Sequence, residues 1–186
     1  MTQGFVTSNG LKLYYESEGE GQPFLLLNGG PGFSHEYLQP LRALASDVQL
    51  VFFDQRGTGR SDKADPQDYT LQANVEDIEQ LRRALQLDSC IVFGHSWGGM
   101  LAQAYVLKYP AHTSKLILAD TFSSIDDCNA ILRRMRNAVP EATRAVYDRC
   151  EREGLYQNRD RYPDEYQAAL EIAYEPVFIS VPPPDY

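Results

Sequence analysis

Ser96 has the sequence surroundings of a catalytic nucleophile. It lies in the segment Gly94-His95-Ser96-Trp97-Gly98-Gly99, after an apolar run typical of a strand and before a run typical of a helix. A strand that turns sharply into a helix can lift a serine hydroxyl clear of the end of a sheet, and flanking glycines leave room for that turn. The glycine–serine–glycine spacing arises by chance in about one such chain in twenty. The strand before it and the helix after it make chance a still poorer explanation.

A second glycine-rich turn could stabilise the charge that such a serine creates. Asn28-Gly29-Gly30-Pro31-Gly32 follows the apolar run Phe24–Leu27. A turn at this point can aim a backbone N–H at the carbonyl oxygen under attack, and the N–H of Trp97 would be the second donor. Glycine–proline clusters also mark ordinary turns. The pairing with the Ser96 segment is what favours a catalytic loop.

A third loop, Asp54-Gln55-Arg56-Gly57-Thr58-Gly59-Arg60-Ser61, follows the apolar run Val48–Phe53. Its two glycines and flanking charges predict a tight loop held by ion pairs, which braces the site. It is not a dinucleotide-binding fingerprint, because the third glycine is missing. We predict neither a cofactor nor a metal ion for this protein.

The elements that must position these loops alternate along the first half of the chain. Strands are predicted at Leu11–Glu16, Phe24–Leu27, Val48–Phe53, Cys90–Phe93 and Leu116–Ala119, and helices at Glu36–Leu44, from a Thr70 cap to residue 85, and at Trp97–Lys108. Strands separated by helices predict a mostly parallel sheet with helices on both faces.

The pattern changes after Thr121. Amphipathic helices are predicted over residues 125–138 and 140–153, and a third runs from Pro163 toward Glu175. No further buried strand is visible in the sequence. We therefore assign residues 1–122 to an α/β core and residues 123–186 to a helical region.

Taken in order, the three loops resemble the proline iminopeptidase family, serine aminopeptidases of the α/β-hydrolase fold. The resemblance is carried by Gly29-Gly30-Pro31-Gly32, Asp54-Gln55-Arg56-Gly57-x-Gly59-x-Ser61 and Gly94-x-Ser96-Trp97-Gly98. It implies that an enzyme of this kind releases N-terminal residues, often proline, from short peptides or amino-acid amides. It also implies that Ser96 is the nucleophile and that Gly30 and Trp97 supply the backbone oxyanion hole.

Two departures from the family stand out. Asn28 takes the place of a histidine that usually precedes the glycines, which puts the shape of the loop and the selectivity in question. In this fold the catalytic acid and histidine follow the serine on later strands, and the family places both beyond a helical cap. We therefore expect residues 123–186 to be the start of that cap and the chain to be truncated within it, with C-terminal strands missing. We also expect weak or absent activity and an exposed apolar edge at Leu116–Ala119.

The histidines of the sequence offer no clear general base. His95 adjoins Ser96 but is expected to point elsewhere on the tight turn, and His112 precedes a strand start at the opposite end of the sheet. His35 is the least implausible candidate, because its loop could line the pocket.

The acidic residues offer no clear catalytic acid either. Asp120 is a better candidate acid than Asp126 because it ends a strand at the catalytic edge, although a loop-capping role is favoured for it. Glu165, Glu171 and Glu175 could bind a substrate ammonium group and are left unassigned.

Composition narrows the classes of partner. With 17 basic and 26 acidic residues and a formal charge of −9, the chain has no basic stripe, so nucleic acid and anionic membranes are poor partners. The three cysteines, at positions 90, 128 and 150, are expected to be reduced thiols. Without a signal peptide or membrane span in its sequence, the protein is predicted to be cytoplasmic, and its oligomeric state is left open.

Two alternatives to the aminopeptidase hypothesis stay open. One is an esterase or amidase of the same fold that acts on small substrates. The other is a short form that binds a ligand without turnover. Haloalkane or epoxide chemistry is disfavoured, since those sites use an aspartate where Ser96 stands.

Overall fold

A computed structural model of the protein describes residues 1–155 and 163–178. The chain divides into two compact units, Met1–Ser123 and Ser124–Tyr186. The first unit contains the strands β1 (Thr2–Ser8), β2 (Leu11–Glu18), β3 (Pro23–Leu27), β4 (Gln49–Phe53), β5 (Cys90–His95) and β6 (Thr113–Ala119). Its α-helices are α1 (Leu71–Ala84) and α2 (Trp97–Lys108). Short 3-10 helices lie at His35–Leu44, Pro66–Asp68 and Pro110–His112.

The six strands form one sheet in the order β1-β2-β4-β3-β5-β6. Strands β4, β3, β5 and β6 are parallel, while β2 pairs antiparallel with both β1 and β4. The prediction of a mostly parallel sheet is confirmed. The sequence reading missed β1, which forms a hairpin with β2 across the Asn9-Gly10 turn, where both residues have positive φ.

The sheet is buried on both faces because its central strands are apolar throughout. On β3, Leu25 and Leu27 face the core cluster that includes residues of α1 and α2. Phe24 and Leu26, which alternate with them, join the opposite cluster, where Leu38 of the long 3-10 helix packs. A strand with apolar side chains on both faces is expected at the centre of a sheet covered on both sides.

The helix predicted at Glu36–Leu44 is present as the 3-10 helix His35–Leu44. Pro40 lies inside it and has no N–H to donate. The hydrogen bonds of this segment follow the tighter 3-10 spacing, whereas the apolar spacing indicated an α-helix.

Strand β6 lies at the end of the sheet and is poorly covered. Leu116, Ile117 and Leu118 are 38%, 40% and 44% exposed, values unusual for three consecutive large apolar residues on a strand. The exposed apolar edge expected from the sequence is therefore present. Such an edge favours association with another chain or segment.

The second unit contains the helices α3 (Ile125–Ala138), α4 (Glu141–Arg152) and α5 (Asp164–Phe178). These bounds confirm the three helices predicted from the sequence. Helices α4 and α5 share a small core of Tyr147, Cys150, Tyr166 and Ala169. An ion pair between Arg149 and Glu165 also joins them. Membership of a cap stays a prediction.

No helix within the described residues has both the length and the apolar character needed to cross a lipid bilayer. The three cysteines are free thiols, of which Cys90 and Cys150 are buried. Burial raises the pKa of the Cys90 thiol to about 11, so it stays protonated at neutral pH.

Candidate active site

Ser96 occupies the turn between β5 and α2, at the carboxyl end of a parallel strand. Its backbone has φ 53° and ψ −120°, which places a non-glycine residue at positive φ. Such a conformation costs about 1–3 kcal/mol and persists only where the surroundings enforce it. The prediction that Ser96 lies at a strand-to-helix turn is confirmed by this geometry.

Three hydrogen bonds enforce the turn at Ser96. Its N–H donates to the carbonyl oxygen of Ala119 at 3.0 Å, which ties it to the end of β6. Its own carbonyl oxygen accepts from the N–H of Gly99 at 2.9 Å and from the Thr121 hydroxyl at 2.7 Å. Because Thr121 follows β6 in the chain, sequence spacing alone did not reveal its contact with Ser96.

Gly98 allows the first turn of α2 to pack directly against the end of β3. A β-carbon at this position would lie 2.0 Å from the carbonyl oxygen of Leu27. That distance is far inside van der Waals contact, so any other residue would push the two segments apart. The glycine after Ser96 therefore serves the close approach of two segments as well as the turn itself.

The loop after β3 lies against the Ser96 turn. A β-carbon built on Gly29 would be 3.1 Å from the Ser96 β-carbon. Gly30 has φ 126°, and a β-carbon there would lie 2.5 Å from the Gly32 nitrogen, so only glycine fits. The Asn28 amide closes the loop by donating to the carbonyl oxygen of Phe33 at 2.6 Å. Asparagine is therefore compatible with a compact loop here.

These segments line one cleft. Its walls are formed by Gly29, Gly30, Phe33, Ser34, Glu36, Tyr37, His95 and Ser96. The structure thus brings the predicted nucleophile and Gly30 together. Trp97 is the first residue of α2, where a backbone N–H has no acceptor within the helix. The oxyanion role of the Gly30 and Trp97 amides stays a prediction.

Tyr37 connects the glycine loop to the nucleophile turn. Its hydroxyl accepts a hydrogen bond from the Gly29 N–H at 2.5 Å and lies 2.8 Å from His95 Nδ1. Burial raises the pKa of this phenol, although the bond from Gly29 acts in the opposite direction. The sequence reading missed Tyr37, which the apolar spacing of the surrounding helix did not single out.

The third loop is anchored by Asp54, which is buried. One carboxylate oxygen accepts from the His35 N–H at 3.0 Å and lies 2.8 Å from His35 Nδ1, and the other accepts from the Arg60 N–H at 2.9 Å. Burial opposes ionisation of Asp54, but these hydrogen bonds outweigh it and lower its pKa. Arg56 forms a two-pronged ion pair with Asp77 of α1, at 2.7 and 2.8 Å.

The histidines fall into three different settings. His35 is 1% exposed and bonded to Asp54, so it supports the third loop and does not line the pocket. His95 is in the wall of the cleft that contains Ser96, and its Nδ1 lies 2.8 Å from the Tyr37 hydroxyl. His112 precedes β6 and lies 3.1 Å from Glu79. Within the described residues none of these rings hydrogen-bonds to the Ser96 hydroxyl.

The candidate acids are dispersed. Asp120 directly follows β6 with φ 44°, next to the Ala119 carbonyl that holds Ser96. Asp126 is in the first turn of α3, in the second unit. Glu165 pairs with Arg149, and Glu171 accepts from Gln167 at 3.2 Å. The side chain of Glu175 lies outside the described residues.

The fold and the site define a class. The protein-family model that describes the α/β-hydrolase fold matches residues 22–172, so the chain belongs to the α/β-hydrolase family. Among its relatives are proline iminopeptidases. That of Saccharolobus solfataricus is 34% identical over 178 residues, and that of Thermoplasma volcanium is 34% identical over 176 residues. These matches confirm the resemblance carried by the three loops.

The alignments cover 92% of this chain but 56% and 58% of those two relatives, so the chain spans little more than half their length. Comparison with solved structures shows the same partial coverage. VinJ superposes with a TM-score of 0.85 and 26% identity, and a proline iminopeptidase from Mycobacterium smegmatis with 0.79 and 25% identity. Both superpositions cover 98% of this chain and 63% of the other.

Proposed function

We propose that this chain carries the nucleophile and the oxyanion donors of a serine hydrolase that releases N-terminal residues, often proline, from short peptides or amino-acid amides. The observation that carries the proposal is the strained turn at Ser96. A serine at positive φ, between a parallel strand and the N-terminus of a helix, has the backbone geometry of a nucleophile elbow. The similarity to proline iminopeptidases supports the choice of reaction.

The reaction would proceed in two stages. Ser96 Oγ attacks the carbonyl carbon of the substrate's first residue while a base removes the hydroxyl proton. The carbonyl oxygen becomes negatively charged and accepts hydrogen bonds from the Gly30 and Trp97 amides. The C–N bond then breaks as the departing amine takes up the proton. Water hydrolyses the resulting ester on Ser96 and releases the amino acid.

The cleft also favours a substrate with a free amino group. Glu36, an acidic residue, is among those that line the cleft containing Ser96. The chain as a whole carries a formal charge of −9, which attracts cations over longer distances. An N-terminal ammonium group is the cation that an aminopeptidase substrate presents.

The histidines of the described residues do not provide a general base for Ser96. His35 is bonded to Asp54, His112 lies beside Glu79, and His95 lies beside the Tyr37 hydroxyl. Loss of the catalytic histidine in serine hydrolases costs on the order of a million-fold in turnover. We therefore expect the 186 residues by themselves to be a poor catalyst.

An esterase is the second candidate. An esterase from Exiguobacterium antarcticum superposes on 74% of this chain with a TM-score of 0.62 and 25% identity. The Ser96 turn and its glycine loop would serve an ester as well as an amide. Epoxide hydrolases, including CorEH with a TM-score of 0.62, share the fold. Ser96 would need to be replaced by an aspartate for their chemistry.

An equilibrium probe tests the proposal without requiring turnover. Prolyl boronic acid forms a tetrahedral anionic adduct with a nucleophilic serine, which ¹¹B NMR distinguishes from the free trigonal acid. We expect an adduct with the chain and none with Ser96→Ala. An adduct that persists in Ser96→Ala, or is absent from both proteins, refutes the assignment of Ser96.

The N-acetylated probe separates the two candidate functions, since it lacks the ammonium group. Weaker binding of the acetylated compound supports an aminopeptidase, and equal binding supports the esterase. Turnover is measured in parallel with proline p-nitroanilide. Fast hydrolysis that vanishes in Ser96→Ala would contradict the expectation of a poor catalyst and direct attention to His95.

A further inference from the structure

Gln55 joins the two backbone segments that would form the oxyanion hole. Its side-chain Nε2 donates to the carbonyl oxygen of Asn28 at 2.7 Å, at the start of the glycine loop. Its Oε1 accepts from the indole N–H of Trp97 at 3.0 Å, in the residue after the nucleophile. One buried amide thus contacts both segments.

The orientation of this amide is determined by its partners. The Asn28 carbonyl can only accept, and the Trp97 indole N–H can only donate. Rotating the Gln55 amide by half a turn would place oxygen against oxygen and N–H against N–H. Because Gln55 is 4% exposed, neither mismatch could be relieved by bulk water.

Gln55 is itself held in place by the hydrogen bonds of its own loop. Its backbone carbonyl oxygen accepts from the Thr58 N–H at 3.0 Å and from the Thr58 hydroxyl at 2.8 Å. The preceding residue, Asp54, is bonded on both carboxylate oxygens, and Ser61 donates to its carbonyl oxygen at 2.6 Å. A side chain anchored in such a loop can keep its hydrogen-bond partners, the Asn28 carbonyl and the Trp97 indole, in fixed positions.

We infer that Gln55 is a positioning residue that sets the separation of the Gly30 and Trp97 amides. This inference rests on the proposed function. Oxyanion stabilisation depends on donors fixed before the reaction begins, and a misplacement of about 1 Å can cost about a hundredfold. The contact with Asn28 positions the peptide leading into Gly29 and Gly30. The contact with Trp97 positions the first residue of α2.

The test compares Gln55→Met with a matched control, Gln49→Met. Methionine has about the length of Gln55 and adds no charge, but it cannot donate to the Asn28 carbonyl and is only a weak acceptor for the Trp97 indole. Gln49 begins β4, the strand that precedes Gln55, at the opposite end of the sheet, where its amide donates to the Ser17 hydroxyl at 3.2 Å. Affinity for prolyl boronic acid is measured for both variants, together with affinity for prolinamide.

We expect Gln55→Met to weaken boronate binding by about tenfold or more, since it disturbs the donors of the oxyanion hole. Prolinamide keeps a planar carbonyl when it binds, before any oxyanion forms, so its affinity should change by less than about twofold. Gln49→Met should resemble the wild type for both ligands. A purely structural defect would weaken both ligands alike and would overturn the inference. Unchanged boronate binding in a folded Gln55→Met would do the same while leaving Ser96 as the nucleophile.

Absence of any adduct in the wild type would instead refute the proposed function, and the inference with it. If Gln55→Met does not fold, Trp97→Phe removes the indole N–H together with part of the ring and keeps the backbone donor. A selective loss of boronate binding in that variant supports the inference. Boronate binding equal to wild type in Trp97→Phe overturns it.

Discussion

Glu79 of α1 accepts more hydrogen bonds than its position on a helix would indicate. It is 1% exposed and receives bonds from Arg82 at 2.9 and 3.0 Å, from Arg83 at 2.7 Å and from the Tyr105 hydroxyl of α2 at 3.0 Å. His112, just before β6, lies 3.1 Å away. Glu79 therefore joins the helix that follows Ser96 to the rest of the core.

The charge on Glu79 should contribute measurably to stability. Burial opposes its ionisation, but the bonds from Arg82, Arg83 and Tyr105 outweigh burial and lower its pKa from 4.5 to about 2. One pKa unit corresponds to about 1.4 kcal/mol, so ionised Glu79 contributes roughly 3 kcal/mol to the free energy of unfolding. Because the pKa is lower in the folded state, this contribution is complete above pH 4.5 and is lost as the pH falls toward about 2.

Glu79→Gln tests this reasoning, because glutamine keeps the shape and cannot ionise. Urea denaturation near neutral pH should show a loss of roughly 3 kcal/mol, and the difference from wild type should shrink as the pH is lowered toward about 3. Glu76→Gln is the matched control on the same helix face. Its carboxylate is 29% exposed, so its variant should lose less. A difference for Glu79→Gln that is below about 1 kcal/mol, or that does not change with pH, would refute the reasoning.

Three further variants test other contacts of the site. Gly98→Ala should lower the free energy of unfolding by roughly 1–3 kcal/mol or more in urea titrations, because its β-carbon meets backbone; wild-type stability would contradict the close approach. Asp77→Ala should cost about 3–5 kcal/mol in the same assay, since it leaves the Arg56 charge buried without its partner; a loss below about 1 kcal/mol would count against the pair. In Tyr37→Phe, the Gly29 amide should exchange with solvent faster by NMR, and unchanged exchange would show that the hydroxyl does not protect it.

The hairpin of β1 and β2 shows where the sequence reading fell short of what the sequence contains. The turn residues Asn9 and Gly10 both adopt positive φ, as the favoured two-residue hairpin turn requires. The dipeptide was therefore an available signal for β1. Strand Thr2–Ser8 was missed because its two large apolar residues, Phe5 and Val6, are adjacent and do not alternate with polar ones.

Local sequence patterns predicted the parallel strands, the helices α1 and α2 and the turn that presents Ser96. These features depend on local patterns, in which apolar spacing and the glycines at 94 and 98 act within a few residues of one another. Local rules also predicted the helices of the second unit, since proline and glycine mark their ends.

Only the tertiary structure showed which side chains hold the site together. Tyr37 and Gln55 are far from Ser96 in the sequence, and each meets the Ser96 turn only because β3, β4 and β5 are neighbours in the sheet. The same holds for His35, which the sequence left as a candidate base and the fold commits to Asp54. A hydrogen bond between distant segments depends on strand order and register, and those follow from the packing of the whole sheet.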